Sequence, residues 1–131
     1  IGERSAEKLK IEIGTAIKPK EEKYMKISGR NLVTGLPESM EIASSEILEA
    51  VSECVEQIVI ATRYVLEQTP PELAADIVSR GIFLTGGGAL LTGLDRLLES
   101  ELNVPVFVAD DALNCVANGC GVMLENLHYV K

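Results

Sequence analysis

Three consecutive glycines, Gly86, Gly87 and Gly88, separate a short apolar run (Ile82 to Thr85) from a leucine-rich segment (Leu90 to Leu98). Without Cβ atoms, such a stretch lets a ligand approach the backbone and reaches φ > 0 conformations closed to other residues. With a strand before it and a helix after it, a ligand there would meet backbone N–H groups and the positive end of the helix dipole. A position beyond the carboxyl end of a strand is also where α/β sheets bind ligands. Two phosphate motifs fail against it. Gly88 and Gly93 have P-loop spacing, but Leu94 and Asp95 stand where Lys and Ser/Thr belong, and the dinucleotide pattern needs glycine where Leu91 stands. Spacing alone leaves a second reading open, in which the glycines only let a helix pack close to a sheet.

Other residue types give less. Glu7 and Lys10 lie one turn apart on an N-terminal helix, where an i, i+3 salt pair on a wet face is the simplest account. The single His128 sits near the C-terminus without triad partners and reads as a solvated tail. Cys115 and Cys120 are five apart on one predicted helix and face different directions, and with one histidine no four-ligand zinc site of cysteine and histidine can form. Cys115 and Cys120 therefore read as buried small hydrophobes. Asp110 and Asp111 read as a helix cap, not as a catalytic carboxylate pair.

The elements that must position these groups follow from periodicity. Residues 1–13 read as a helix with Ala6, Leu9 and Ile13 on one stripe, Ser5 as its cap and Gly14 as its stop. Lys23 to Ser28 alternates as a half-buried strand with Met25 and Ile27 inward, and Met40 and Ile42 mark a second one. Gly29 to Asn31 and Gly35 to Pro37 read as breaks between them. From Ser44 the period becomes helical, with Ile47, Val51, Val55, Ile58, Thr62 and Val65 on the apolar side and Glu46, Glu49, Glu53 and Glu56 on the wet one. Thr69, Pro70 and Glu72 then spell an N-cap, a first-turn proline and a capping box for a helix through Ser79. Ile82 to Thr85 lacks alternation, as expected of a strand covered on both faces. A leucine helix from Leu90, a strand over Val104 to Ala109 and a last helix from Leu113 to Leu127 complete an α-α-β-α-β-α order, which implies a parallel sheet with helical cover. Two strands do not complete such a sheet, so further strands are expected from sequence beyond this chain.

The chain has 131 residues, 47% hydrophobic and 24% charged, enough for one domain with its own core. Twelve Lys plus Arg against twenty Asp plus Glu give a net charge of −8, which repels nucleic acid backbones, and no basic cluster offsets it. Three cysteines and no signal-peptide pattern point to a reducing compartment. No stretch reaches the ~18 apolar residues of a membrane helix. The sequence starts at Ile1 and is expected to be a piece of a longer protein.

Four segments carry a resemblance. Ile1 to Gly14 (IGERSAEKLKIEIG), Gly29 to Pro37 (GRNLVTGLP), Thr69 to Asp76 (TPPELAAD) and Arg80 to Leu91 (RGIFLTGGGALL) resemble, in order and nearly end to end, the MreB family of bacterial actins, the rod shape-determining proteins. The resemblance implies an α/β fold: an actin-like ATPase (ribonuclease-H-like) partial domain plus a small α+β inserted subdomain. Residues 1–43 correspond to the inserted subdomain, a helix plus β-hairpin. Residues 44–131 correspond to the C-terminal half of the ribonuclease-H-like subdomain of the second lobe. It further implies an ATP site in which Gly86, Gly87, Gly88, Ala89 and Leu90 form the adenosine motif. Glu7 and Lys10, with Lys8 and Leu9 between them, would then cover the other side of the adenosine, acid and base toward ribose and adenine, which displaces the simple salt-pair reading.

The same resemblance implies that Mg²⁺, the two phosphate loops and the catalytic carboxylate belong to sequence before Ile1. No catalytic or metal-binding residue is then expected here, and no ATP hydrolysis by this chain alone, while the full-length protein is expected to be an ATPase. Self-association into filaments is implied, in the cytoplasm at the inner face of the membrane, with membrane-anchored cell-shape and cell-wall synthesis proteins as partners. No nucleic acid partner and no direct membrane insertion by these residues are implied. One departure is Gly119, Cys120 and Gly121, where the family usually has Gly-Thr-Gly. Two rival readings are a lobe of an actin-fold sugar or acetate kinase, against which the Gly29–Pro37 and Thr69–Asp76 segments speak, and an adaptor domain whose glycine turn is only structural.

Overall fold

A computed structural model describes residues 1–129. Helix α1 (Glu3–Ile13) lies across the hairpin of β1 (Tyr24–Arg30) and β2 (Pro37–Ala43), which pair antiparallel from Tyr24↔Ala43 to Arg30↔Pro37. Leu9, Ile13 and Ile27 form a small core, flanked by Met25, Ile42 and Ile47. The alternation of β1 dictates this, because a strand with one inward face sends every second residue to the helix. Gly14 ends α1 as expected, its N–H donating to the Lys10 carbonyl at 3.0 Å. Ser5 does not begin it. The cap is Gly2, three residues earlier, whose carbonyl accepts from Ala6 N–H at 3.1 Å, since nothing at Glu3 or Arg4 opposes helical φ, ψ.

The hairpin is also longer than its glycines suggested. Gly29 and Arg30 stay in β1, and Pro37 opens β2 instead of breaking it. Asn31 accounts for the difference: its Oδ1 accepts from Val33 N–H (2.8 Å) and Thr34 N–H (3.1 Å), and its own N–H donates to the Leu36 carbonyl (2.9 Å). The Asn31 side chain thereby organises the turn, with Gly35 at φ 71° donating its N–H to the Asn31 carbonyl at 2.8 Å, and proline is tolerated as the first residue of a strand.

Helix α2 (Ser44–Gln68) runs into α3 (Pro71–Arg80), followed by β3 (Ile82–Leu84), α4 (Leu94–Leu102), β4 (Val106–Val108) and α5 (Cys115–Glu125). Strands β3 and β4 pair parallel, Ile82↔Val106 through Leu84↔Val108, as the β-α-β order requires. The main core unites Val55 and Val59 of α2, Leu94 and Leu98 of α4, Val104, Val106 and Ala16. On α2 the positions packed in this core are Val51, Val55 and Val59, while Ile58 and Val65 are exposed. Its apolar stripe is thus wider than the face that α4 and the sheet cover.

Further expectations are corrected. The Thr69 hydroxyl does not cap α3: it donates to the Val65 carbonyl at 2.7 Å, so it closes α2, and α3 starts from Pro70 without a side-chain cap. The glutamate that does reach back is Glu46, whose Oε2 accepts from Ala43 N–H at 2.8 Å. Strand β3 is covered on one face only. Ile82 and Leu84 pack on the core, whereas Phe83 is 64% exposed and stacks at 5.4 Å on Phe107 of β4. Helix α5 has no buried residue, and Val116, Met123 and Leu124 are exposed. Cys54 and Cys120 are exposed and Cys115 half-buried: Cys54 is on the wet side of α2, Cys120 lies on a helix without a buried residue, and the Cys115 thiol reaches the Asp111 carbonyl at 3.5 Å. Helix α5 begins from Asn114, whose amide donates to Asp111 Oδ1 at 2.9 Å. Asp110 and Asp111 cap nothing there.

Candidate functional site

The glycine turn follows β3 directly. Gly86 has φ 83°, a left-handed value that glycine adopts without strain, and its N–H donates to the Ala112 carbonyl at 2.7 Å. Gly87 to Leu90 form one turn of 3-10 helix, tied by Ala89 N–H to the Gly86 carbonyl and Leu91 N–H to the Gly88 carbonyl, both at 3.2 Å. Among the described residues nothing accepts from the N–H groups of Gly87 and Gly88. A Cβ built on Gly86 or on Gly88 would meet no atom within 4 Å, so the space beside the turn is open. Ala89 is buried and Leu90 exposed. The turn therefore offers two free backbone donors, bare Cα positions and one apolar side chain.

The leucine segment is not one helix. Gly93 has φ 80°, which no interior helix position allows, and α4 starts after it at Leu94. The free donors beside the open space thus belong to a short 3-10 turn and not to the dipole of a full helix. A glycine within an apparent leucine helix was the available sign, since it costs about 1 kcal/mol there.

On α1, Glu7, Lys8 and Lys10 are exposed, while Leu9 is 4% exposed and faces the hairpin core. Leu9 therefore anchors the helix and does not offer its side chain to solvent. Lys8 Nζ pairs with Glu12 Oε1 at 3.8 Å, one turn along.

The segment that leaves α1 and the segment that leaves the glycine turn meet in a seam that sequence reasoning missed. Past the end of α1, Thr15 forms a parallel bridge with Thr92, and Ala16 N–H donates to the Thr92 carbonyl at 2.8 Å. Thr15 is 3% exposed, its hydroxyl donating to the Ile17 carbonyl at 2.7 Å. A Cβ on Gly93 would lie 2.4 Å from Ile17 Cγ1, closer than any real contact, so glycine there is what permits the approach. The seam holds the exit of α1 against residues just past Leu90. No local pattern in the Thr15 to Ile17 stretch announces it, because its partner lies 77 residues away. Among the described residues no group of three His, Cys, Asp or Glu could hold a metal ion, and no helix is long and apolar enough to cross a membrane.

A parallel β-α-β unit with a glycine turn beyond its first strand, joined to a helix-and-hairpin unit, is an actin-like ATPase (ribonuclease-H-like) partial domain. The crystal structures of MreB5 of Spiroplasma citri bound to ADP and to AMPPNP superpose on it with TM-scores of 0.92 and 0.91, at 38% sequence identity, covering 97% and 98% of this chain and 39% and 38% of theirs. The MreB/Mbl protein family matches residues 1–131, and the chain belongs to that family. It is 52% identical over 127 residues to the cell shape-determining protein Mbl of Bacillus cereus (strain ATCC 10987 / NRS 248) and 53% identical over 125 residues to the cell shape-determining protein MreB of Escherichia coli (strain K12). These alignments cover 97% and 95% of the chain but only 38% and 36% of the relatives, so the chain spans little more than a third of their length.

Proposed function

We propose that this chain is the adenosine-binding part of a bacterial actin that binds ATP, assembles into filaments and determines rod cell shape by organising cell-wall synthesis. In this reading residues 1–43 are the small inserted subdomain and residues 44–131 the later half of the ribonuclease-H-like subdomain. Glu7 and Lys10 face ribose and adenine from α1, with Lys8 and Leu9 supporting them. Gly86, Gly87, Gly88, Ala89 and Leu90 carry the base and α-phosphate on the other side. The observation that supports this most is the Thr15–Thr92 seam, which joins the segment leaving α1 to the residues just past a turn with two backbone N–H groups that nothing accepts from among the described residues. The neighbours crystallised with ADP and AMPPNP support a nucleotide as the ligand.

The residues fit such a ligand. Unpaired backbone donors suit a phosphate oxygen, and bare Cα atoms suit a flat base that any side chain would displace. When bound, ATP supplies a γ-phosphate whose Mg²⁺ and water are held by other parts of the protein. These residues bind and orient the nucleoside. The filaments lie in the cytoplasm under the inner face of the membrane and act through membrane-anchored cell-shape and cell-wall synthesis proteins. The exposed acidic side of α2 and the exposed Leu73 and Val78 of α3 are the surfaces offered to subunits or adaptors.

The test is a nucleotide titration of the full-length protein. Glu7→Ala and Lys10→Ala are each expected to weaken ATP affinity roughly fivefold or more, the loss of one hydrogen bond to or from a charged group. Unchanged affinity in both variants would remove α1 from the site. A full-length protein that binds no nucleotide would favour the adaptor reading.

A further inference from the structure

Along α2 one stripe of side chains borders a groove shared with α4. Glu49, Glu56, Ile60, Arg63 and Glu67 follow one another at spacings of seven, four, three and four, which aligns them on one face of a helix. The groove has a volume of about 270 Å³ and is lined by Glu56, Ile60 and Arg63 of α2 and by Leu97 and Glu101 of α4. Its floor is apolar, because Val55 and Val59 beneath it belong to the main core. Arg63 bridges the two helices: its Nη2 donates to the Glu101 carbonyl at 3.2 Å and pairs with Glu101 Oε2 at 3.4 Å. Ile60 is 56% exposed, an apolar rim with nothing of the described residues covering it. Glu56 beside it is exposed and has no ion pair among the described residues.

We propose that this groove docks a cationic amphipathic helix of a partner protein, which lays apolar side chains against Ile60 and the valine floor and sets a lysine or arginine beside Glu56. The proposal rests on the reading of α2 as an adaptor surface and narrows that surface to one groove. Size argues for side chains as the occupant. A volume of about 270 Å³ falls below the roughly 300–1,000 Å³ of pockets that enclose a small molecule, whereas a helix supplies apolar anchors one turn apart. Both walls are helices with no open strand edge, so an extended peptide gains no backbone pairing here. Charge sets the sign of the partner. Glu101 already engages Arg63, so Glu49, Glu56 and Glu67 leave the stripe negative, and its complement is positive. A second copy of this chain does not supply that complement, since it carries the same net charge of −8 and no basic cluster.

The probe is a displayed library of helical peptides with a fixed leucine stripe and flanking positions open to lysine, glutamate or serine, selected on the full-length protein. Selected peptides should be enriched in lysine, and their affinity is then measured by titration beside the unfolding temperature of each variant. Ile60→Ala should weaken binding about five- to twentyfold, the effect of roughly 40–70 Å² of apolar cover, at an unchanged unfolding temperature because the side chain is exposed. Glu56→Lys should weaken it at least as much, and more at low salt than at high. Glu125→Lys makes the same charge change on α5 and should leave binding unaltered. The proposal is overturned if no peptide is selected, if lysine is not enriched, or if Glu125→Lys acts as strongly as Glu56→Lys. It is also overturned if Ile60→Ala abolishes self-association of the protein, which would assign the groove to a second copy. Peptides lost with Leu73→Ser but kept with Ile60→Ala would preserve an adaptor surface on α3 and still overturn the groove. The ATP titrations of Glu7→Ala and Lys10→Ala report on other residues, so a misplaced nucleotide site is read separately.

Discussion

Replacing Gly88 by alanine separates the two roles open to the triple glycine, tight turn or ligand cradle. A Cβ at Gly88 meets no atom within 4 Å, and its φ lies outside the left-handed range, so the folded chain accepts a methyl group there without displacement. Alanine also has less backbone freedom to lose on folding, so stability should stay level or rise by up to about 1 kcal/mol. A ligand lying on the bare backbone meets the methyl instead. Overpacking by one such group costs about 1–3 kcal/mol, which is roughly 5- to 150-fold in affinity. Gly86→Ala would not separate the roles, because its φ of 83° strains any other residue and stability falls with binding. The assay is calorimetric titration of the full-length Gly88→Ala protein with ADP, beside thermal unfolding without nucleotide. An unchanged dissociation constant at unchanged stability would refute the cradle and leave the glycines as a turn; a clear loss of stability would refute the packing argument.

Two further outcomes concern the scaffold. Leu98 is 1% exposed in the main core, so Leu98→Ala should cost about 2.7–5 kcal/mol, read as a lower urea midpoint with an unchanged slope; a cost under about 1 kcal/mol would mean the core is not packed as described. Glu22 is held below its ordinary value of 4.5 by the Ser45 side chain and by Ser45 N–H, which donates to Glu22 Oε1 at 3.0 Å. A lowered carboxyl stabilises fully above its unfolded value and loses that contribution as pH falls through the folded one. The stability difference between wild type and Glu22→Gln should therefore be flat above about pH 5 and shrink below it; a difference constant down to pH 3 would refute the bond.

Local patterns were legible wherever the residues that decide a structure are neighbours in the chain. The inward Met25 and Ile27, the stop at Gly14, and the change to helical period at Ser44 all reappear. Several ends were misread because a competing group was one turn away. Thr69 found the Val65 carbonyl before it could cap α3, and Asn31 carried the hairpin turn that Gly29 had been expected to start. The family, too, was legible in four segments of sequence, and its match runs over residues 1–131.

The sequence by itself determined the elements, the parallel order of β3 and β4, and the glycine turn between strand and leucine segment, because each follows from side-chain period and from the backbone freedom of particular residues. Only the tertiary structure decided that the segment after α1 joins the chain just past that turn, through Thr15, Thr92 and the missing Cβ of Gly93. It alone decided that nothing among the described residues accepts from the N–H groups of Gly87 and Gly88. Those are relations between residues far apart along the chain. They are set by how cores close and by which backbone groups find partners, and neither is written in any local stretch of residues.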